Sequence, residues 1–241
     1  MKKLLFTVSL LSFSCILTKA QDAALLAAEK ARGIMIGNTG VQWTVNVSGA
    51  KSAQFLATAK GGKIHAEVIQ PADAAGRKYL AEAKGAMWFW KPGLSRPVSV
   101  SKKQRLSGDA AIGDIASTSF VEGYKVVGKE DGEVNGETAT VYTMKANSLG
   151  DTYAEIKYWI TKSGSLGKKA EFYAKSGNLL RTSTMEYKNR ANGSPFLSKM
   201  VIRDSSRTIN LTFSNVNIGN YPDSMFERDN IGEKTFKGTR K

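Results

Sequence analysis

The chain has 241 residues, with 35 Lys and Arg against 21 Asp and Glu, one Cys, one His and 41% hydrophobic residues. That length gives one large domain with a substantial core. A single cysteine excludes an internal disulfide, and a single histidine excludes a histidine-built metal centre. The formal charge of +14 would point a cytoplasmic protein toward nucleic acid.

The N-terminus redirects that reading. Met1-Lys2-Lys3 is a cationic start, residues 4–17 form an apolar run broken by Ser and Thr, and Thr18-Lys19-Ala20 puts small residues three and one positions before Gln21. This is the three-part pattern of a secretory signal peptide cut after Ala20, with residues 21–241 as one domain. The run is too short to span a bilayer. The alternative is a lipoprotein signal cut before Cys15, but Phe13 in Ser12-Phe13-Ser14 is bulky where a small or β-branched residue is expected. Cleavage after Ala20 removes Cys15 with Lys2, Lys3 and Lys19, leaving about 14 − 3 = +11. Outside the cytoplasm, the partners for such a charge are anionic membrane surfaces and lipids, not nucleic acid. A solvated lysine-rich surface that keeps the protein soluble accounts for the charge equally well.

Asp22 is a suitable N-cap for a helix over 23–35, stopped by Gly37-Asn38. Ala24, Ala27, Ala28, Ala31, Ile34 and Met35 share one face, while Asp22, Glu29, Lys30 and Arg32 lie on the other. Strand patterns follow at 41–47, 53–59, 63–70, 77–83 and 86–90. They resume at 124–129, 138–145, 153–161, 169–175, 179–187, 199–204 and 208–216. Turn chemistry separates them, including Gly61-Gly62, Asp131-Gly132, Asn135-Gly136 and Ser163-Gly164. The pattern predicts a mainly β protein with helices (α+β): a strongly curved antiparallel barrel or sheet of about eleven strands. The Gly-, Ala- and Ser-rich stretch 106–123 reads as short helices or a lid over the sheet. Residues 229–241 are polar and basic and are expected to fray.

Three stretches carry a resemblance. They are Val68-Ile69-Gln70-Pro71 with Gly76-Arg77-Lys78-Tyr79-Leu80 and Lys84-Gly85-Ala86-Met87-Trp88-Phe89-Trp90-Lys91-Pro92; Gly113 to Phe120 leading into Tyr124; and 153–159 followed by Lys169-Ala170-Glu171-Phe172-Tyr173 and Ser176-Gly177-Asn178-Leu179-Leu180. Together they resemble the outer-membrane lipoprotein-sorting proteins, the LolA-like family, in its longer uncharacterised branch. The resemblance implies an incomplete β-barrel, covered by helices, whose apolar side receives acyl chains of lipoproteins or lipids. It also implies a periplasmic carrier, expected to be a monomer, that meets an inner-membrane transporter and an outer-membrane acceptor. A non-shuttling lipid-binding or envelope-assembly module beside a membrane exporter is the alternative. The known transfer arginine of the shorter carriers has no matching motif here.

Acyl binding needs a concave apolar surface and no catalytic group or cofactor, each buried methylene contributing about 0.8 kcal/mol. Inward strand positions nominate Trp43, Phe55, Leu56, Ile64, Met87, Phe89, Ile156, Tyr158, Ile160, Phe172, Leu211 and Phe213 as lining, although packed core presents the same period-two pattern. Trp88 and Trp90 lie opposite Met87 and Phe89, which suits a strand covered on both sides or an aromatic face meeting a ligand or membrane. His65, between Ile64 and Ala66, reads as a surface strand residue. No Gly-x-Ser-x-Gly turn accompanies it, and Asp109, Asp114 and Glu122 show no metal-ligand spacing, so a hydrolase is a distant third reading. Asn46-Val47-Ser48, Asn192-Gly193-Ser194 and Asn210-Leu211-Thr212 match a glycosylation sequon that means nothing behind a bacterial-type signal.

Overall fold

The computed structural model describes residues 22–49, 52–82, 85–106, 117–148 and 151–233. The expected signal segment, its cleavage site, Cys15 and the 107–116 part of the expected lid lie outside them.

The first helix, α1, is Ala23–Ala31. Asp22 caps it as expected, its Oδ1 accepting from the Ala24 and Leu25 amides at 3.0 and 3.1 Å. The helix stops short of the expected residue 35. Gly33 takes a φ of 98°, and the Ile34 amide folds back onto the Glu29 carbonyl at 2.9 Å. A Cβ on Gly33 would stand 3.3 Å from the rings of both Phe196 and Trp43, so the chain turns where the core leaves no room for a side chain. Ile34 and Met35 then enter the core as non-helical residues, 1% and 5% exposed.

Two meanders follow. The first runs through β1 (Gly40–Ser48), β2 (Ala53–Lys60), β3 (Lys63–Gln70), β4 (Lys78–Ala81), β5 (Met87–Trp90) and β6 (Val98–Ser99), and ends in the short helix α2 (Lys102–Leu106). The second runs through β7 (Tyr124–Val134), β8 (Glu137–Ala146), β9 (Glu155–Thr161), β10 (Gly167–Tyr173) and β11 (Leu179–Glu186). A small hairpin, β12 (Asn189–Ala191) and β13 (Ser194–Phe196), interrupts it before β14 (Lys199–Arg203) and β15 (Thr208–Gly219). Pairing of β1 with β15 joins the meanders into one thirteen-stranded antiparallel sheet with β6 and β7 at its open edges. The expected fold class stands. The extra strands beyond about eleven are short ones that weak local patterns do not announce.

Turn residues fell where chirality requires them. Gly61-Gly62, Asn135-Gly136 and Asn192-Gly193 have positive φ at both positions, the requirement of a two-residue type I′ hairpin. The last of these, read above only as a sequon, makes the β12–β13 turn. Asp131-Gly132, by contrast, is no turn. It lies inside β7, opposite Thr140 and Ala139. A Cβ at Gly132 would meet Val141 Cγ2 at 2.7 Å, so glycine there serves packing within the sheet.

One face of the sheet drains into a single apolar cluster that includes Met87 from β5, Tyr124 at the start of β7, and Leu25, Ala28 and Ile34 around α1. Residues near both open edges therefore meet in one core, which requires the sheet to curve around it. The other face carries a second cluster over β4 and β5: Leu80, Tyr221, Met225, Phe226 and Ile231, with Trp88 and Trp90 against it. The strand 87–90 is thus covered on both sides, and its tryptophans pack. Trp88 Nε1 donates to Glu82 at 2.7 Å and Trp90 Nε1 to the Leu94 carbonyl at 2.9 Å.

The covering segment on that outer face is 221–233, with 3₁₀ turns at Asp223–Phe226 and Arg228–Asn230. Fraying from residue 229 was the expectation; Ile231 is instead 1% exposed. Residues 234–241 lie outside those described.

Candidate functional site

Of the twelve inward positions expected to line an acyl site, eleven belong to the inner cluster. Trp43, Ile64, Met87, Ile156, Tyr158, Ile160, Phe172, Leu211 and Phe213 are buried, and Phe55 and Phe89 are partly buried against them. Leu56 does not belong. It pairs with Thr44 and Glu67, on the opposite face from Phe55.

A polar pair joins α1 to residues 118–120 at the inner face. Glu29 and Arg32, read from the sequence as part of a solvent face, are 0% and 2% exposed. They form a two-pronged pair: Arg32 Nε donates to Glu29 Oε1 at 2.9 Å and Nη2 to Oε2 at 2.8 Å. Each then reaches residues 118–120, which lead into β7. Arg32 Nη2 also donates to the Thr118 carbonyl, and the Phe120 amide donates to Glu29 Oε2 at 2.8 Å. The guanidinium lies 4.1 Å from the centre of the Phe120 ring. Burial works against charge on Arg32, but the Glu29 carboxylate outweighs it and holds the guanidinium's pKa above its ordinary value.

Phe120 is the apolar half of this fastening. Its ring meets Tyr158 at 5.1 Å and Phe172 at 5.9 Å, both edge-on. Tyr158 is fully buried, and burial pushes its phenol well above the ordinary range. Its hydroxyl occupies the place a side chain would take at position 167; a Cβ on Gly167 would lie 1.8 Å from it. Nearby, Tyr187 donates to the Gly167 carbonyl at 2.6 Å.

At the other end of α1, Tyr142 donates to Asp22 Oδ1 at 3.1 Å and Lys129 pairs with Oδ2. The helix is therefore tied to the sheet at its start and to the 118–120 segment at its end. The latch was missed because its two halves stand far apart in sequence. The i,i+3 spacing of Glu29 and Arg32 was the available signal.

His65 requires correction. It is 2% exposed on the outer face, under the 221–233 segment, and is not a surface residue. It hydrogen-bonds the Ile231 backbone, and its Nδ1 has no partner among the described residues. Burial first, and then the charge on Lys78, pull its pKa down to about 4, so the imidazole is neutral above that pH. Lys78 itself donates to the Glu233 carbonyl, Lys63 to that of Phe226 at 3.1 Å, and Lys60 to that of Tyr221 at 2.8 Å.

No group of three or more His, Cys, Asp or Glu that could hold a metal ion occurs among the described residues. No helix among them is long and apolar enough to cross a membrane.

Comparison with known proteins agrees with this architecture. Residues 62–233 match the model of a family described as uncharacterised-protein-like. No curated protein matches the sequence. Among solved structures, a LolA superfamily protein from Nitrosomonas europaea is 25% identical, with 85% of this chain and 97% of that one covered and a TM-score of 0.68. A domain described as an outer membrane lipoprotein-sorting protein from Vibrio parahaemolyticus is 18% identical over 87% and 98%, with a TM-score of 0.70. A DUF1329 family protein from Desulfovibrio piger is 18% identical over 85% and 96%, at 0.64. The chain belongs to the uncharacterised-protein-like family that its residues 62–233 match, and it is built as a LolA-like incomplete barrel.

Proposed function

We propose that the protein is an extracytoplasmic carrier that shields the acyl chains of lipoproteins or lipids against the inner face of its sheet, for sorting to the outer membrane. The observation that carries this reading is the pairing of an apolar inner face with a cover fastened by the Glu29–Arg32 pair. An acyl chain needs apolar surface to replace water, and a carrier needs a cover that can be exchanged. Trp43, Phe55, Ile64, Met87, Phe89, Ile156, Tyr158, Ile160, Phe172, Leu211 and Phe213 are the residues an entering chain would touch.

A fluorescent fatty acid tests the reading directly. Burial of ten methylenes offers about 8 kcal/mol before ordering costs, so micromolar or tighter binding is expected. Ala66→Trp, at a partly buried position against the inner cluster, should weaken binding while leaving the fold intact. Mass spectrometry of organic extracts from natively purified protein should show bound lipid. Protein free of lipid that also binds no acyl probe would refute the carrier.

A further inference from the structure

The outer face of β8, β9 and β10 carries a pocket of about 380 Å³, a volume suited to a small ligand. Three lysines line it from three parts of the chain: Lys145 on β8, Lys157 on β9 and Lys175 in the turn between β10 and β11. Tyr173 contributes its ring, and Glu155 is the one acidic group of the lining. We propose that this pocket binds a phosphate monoester.

The charges select the ligand. Among the described residues, Lys145 has Glu155 opposite it and Lys157 has Glu171. Glu171 lies outside the lining and shares its charge between Lys157 and two other donors. It takes the Tyr173 hydroxyl at 2.5 Å and the Lys169 ammonium at 2.7 Å. The lining thus holds three positive groups against Glu155, a surplus of two. A phosphate monoester carries about −1.5 to −2 charges and three acceptor oxygens near neutral pH, which matches that surplus. Lysines supply it as mobile point charges with several donors each.

A second observation points the same way. Lys145 faces Lys125 across the β7–β8 pair and Glu155 across the β8–β9 pair, so one carboxylate stands beside two lysines there. Like charges directly opposite each other destabilise a sheet, and a bound anion would relieve the remaining repulsion. The pocket sits on the face away from the inner cluster, because Met144, Ile156 and Phe172, the neighbours of its strand residues, all point inward. Phosphate binding there is independent of acyl chains.

Inorganic phosphate is the first probe, titrated against the full chain by calorimetry. Saturable binding is expected. K145Q/K157Q/K175Q should weaken it at least about tenfold, because most of the local field is removed. K30Q/K91Q/K102Q removes the same net charge at exposed lysines elsewhere and should change it less than about twofold. Thermal melting of both variants checks that they fold. Vesicles of phosphatidic acid in phosphatidylcholine, against phosphatidylcholine alone, separate the two sources of the group. Retention lost only in the pocket variant assigns a lipid headgroup; phosphate binding without retention assigns a soluble phosphorylated compound. Absence of saturable phosphate binding, or equal weakening in the two variants, would overturn the site.

Discussion

Residues 118–120 and 221–233 lie across opposite faces of one sheet, and they are held there by different means. The inner segment is short and is held by hydrogen bonds to a buried ion pair and by the Phe120 ring, which packs on Arg32, Tyr124, Tyr158 and Phe172. The outer segment is fastened along its length, by four buried apolar side chains and by three lysines that donate to its carbonyls. A buried pair adds little net stability against an apolar substitute, yet it is costly to break halfway. Distributed apolar burial has no such single failure. The contact of α1 with 118–120 is therefore the one most exposed to a change at one residue, while the outer segment should behave as part of the wall.

The largest expected effect is on the inner side. Arg32→Met leaves the Glu29 carboxylate buried without its partner and should cost about 3–5 kcal/mol in urea unfolding. Combining it with Glu29→Leu should restore part of that loss, since the uncompensated charge is then gone. A single change costing under about 1 kcal/mol would mean that the pair is not the fastening.

On the outer side, Ile231→Ala should cost about 2–4 kcal/mol, the usual range for emptying a buried aliphatic site. Amide exchange should rise across 221–233 and stay slow in α1. Equal acceleration of both covers would show that they form one cooperative unit and dissolve the contrast drawn above.

The smallest effect depends on pH. His65 has a pKa of about 4 in the folded chain against an ordinary value of 6.5, so between those values the unfolded chain binds the extra proton. Its contribution is fully present above about pH 6.5 and is lost as the pH falls toward 4, to a total of up to about 3 kcal/mol. His65→Gln should flatten that part of the stability profile. An unchanged slope between pH 7 and 4.5 in the variant would place the titration elsewhere.

What the sequence disclosed follows from the range of each signal. Alternation in the strands and the small-residue face of α1 are local patterns, and eleven of the twelve inward positions fell on one face accordingly, Leu56 being the exception. The errors share a cause: a covering segment distant in sequence. Glu29 and Arg32 look like a solvent face until 118–120 is laid on them. His65 looks exposed until Ile231 closes over it. The end of that outer segment, from residue 229, reads as frayed because Ile231 stands alone among polar neighbours. Helix α1 ended early for a related reason, since Gly33 faces Phe196, a residue of β13 that no local pattern could bring near. Asp131-Gly132 shows the converse, a strong turn signal overridden by pairing on both sides of it.

The seam between β1 and β15 bears on how the chain reaches this state. Every other neighbouring pair in the sheet is joined by a hairpin or a short excursion, but Val45 must find Phe213. Each meander can assemble from local contacts as soon as its own strands exist. The seam needs β15, so until that strand arrives the two half-sheets have unpaired inner edges. Closing so long a loop is slow, because its entropy is lost before the pairing can compensate. Until then β1, with Val41, Trp43, Val45 and Val47 on one face, is a bare edge open to wrong partners. Folding is thus gated by completion of the chain, and the interval before that closure is when a holding chaperone has most to protect.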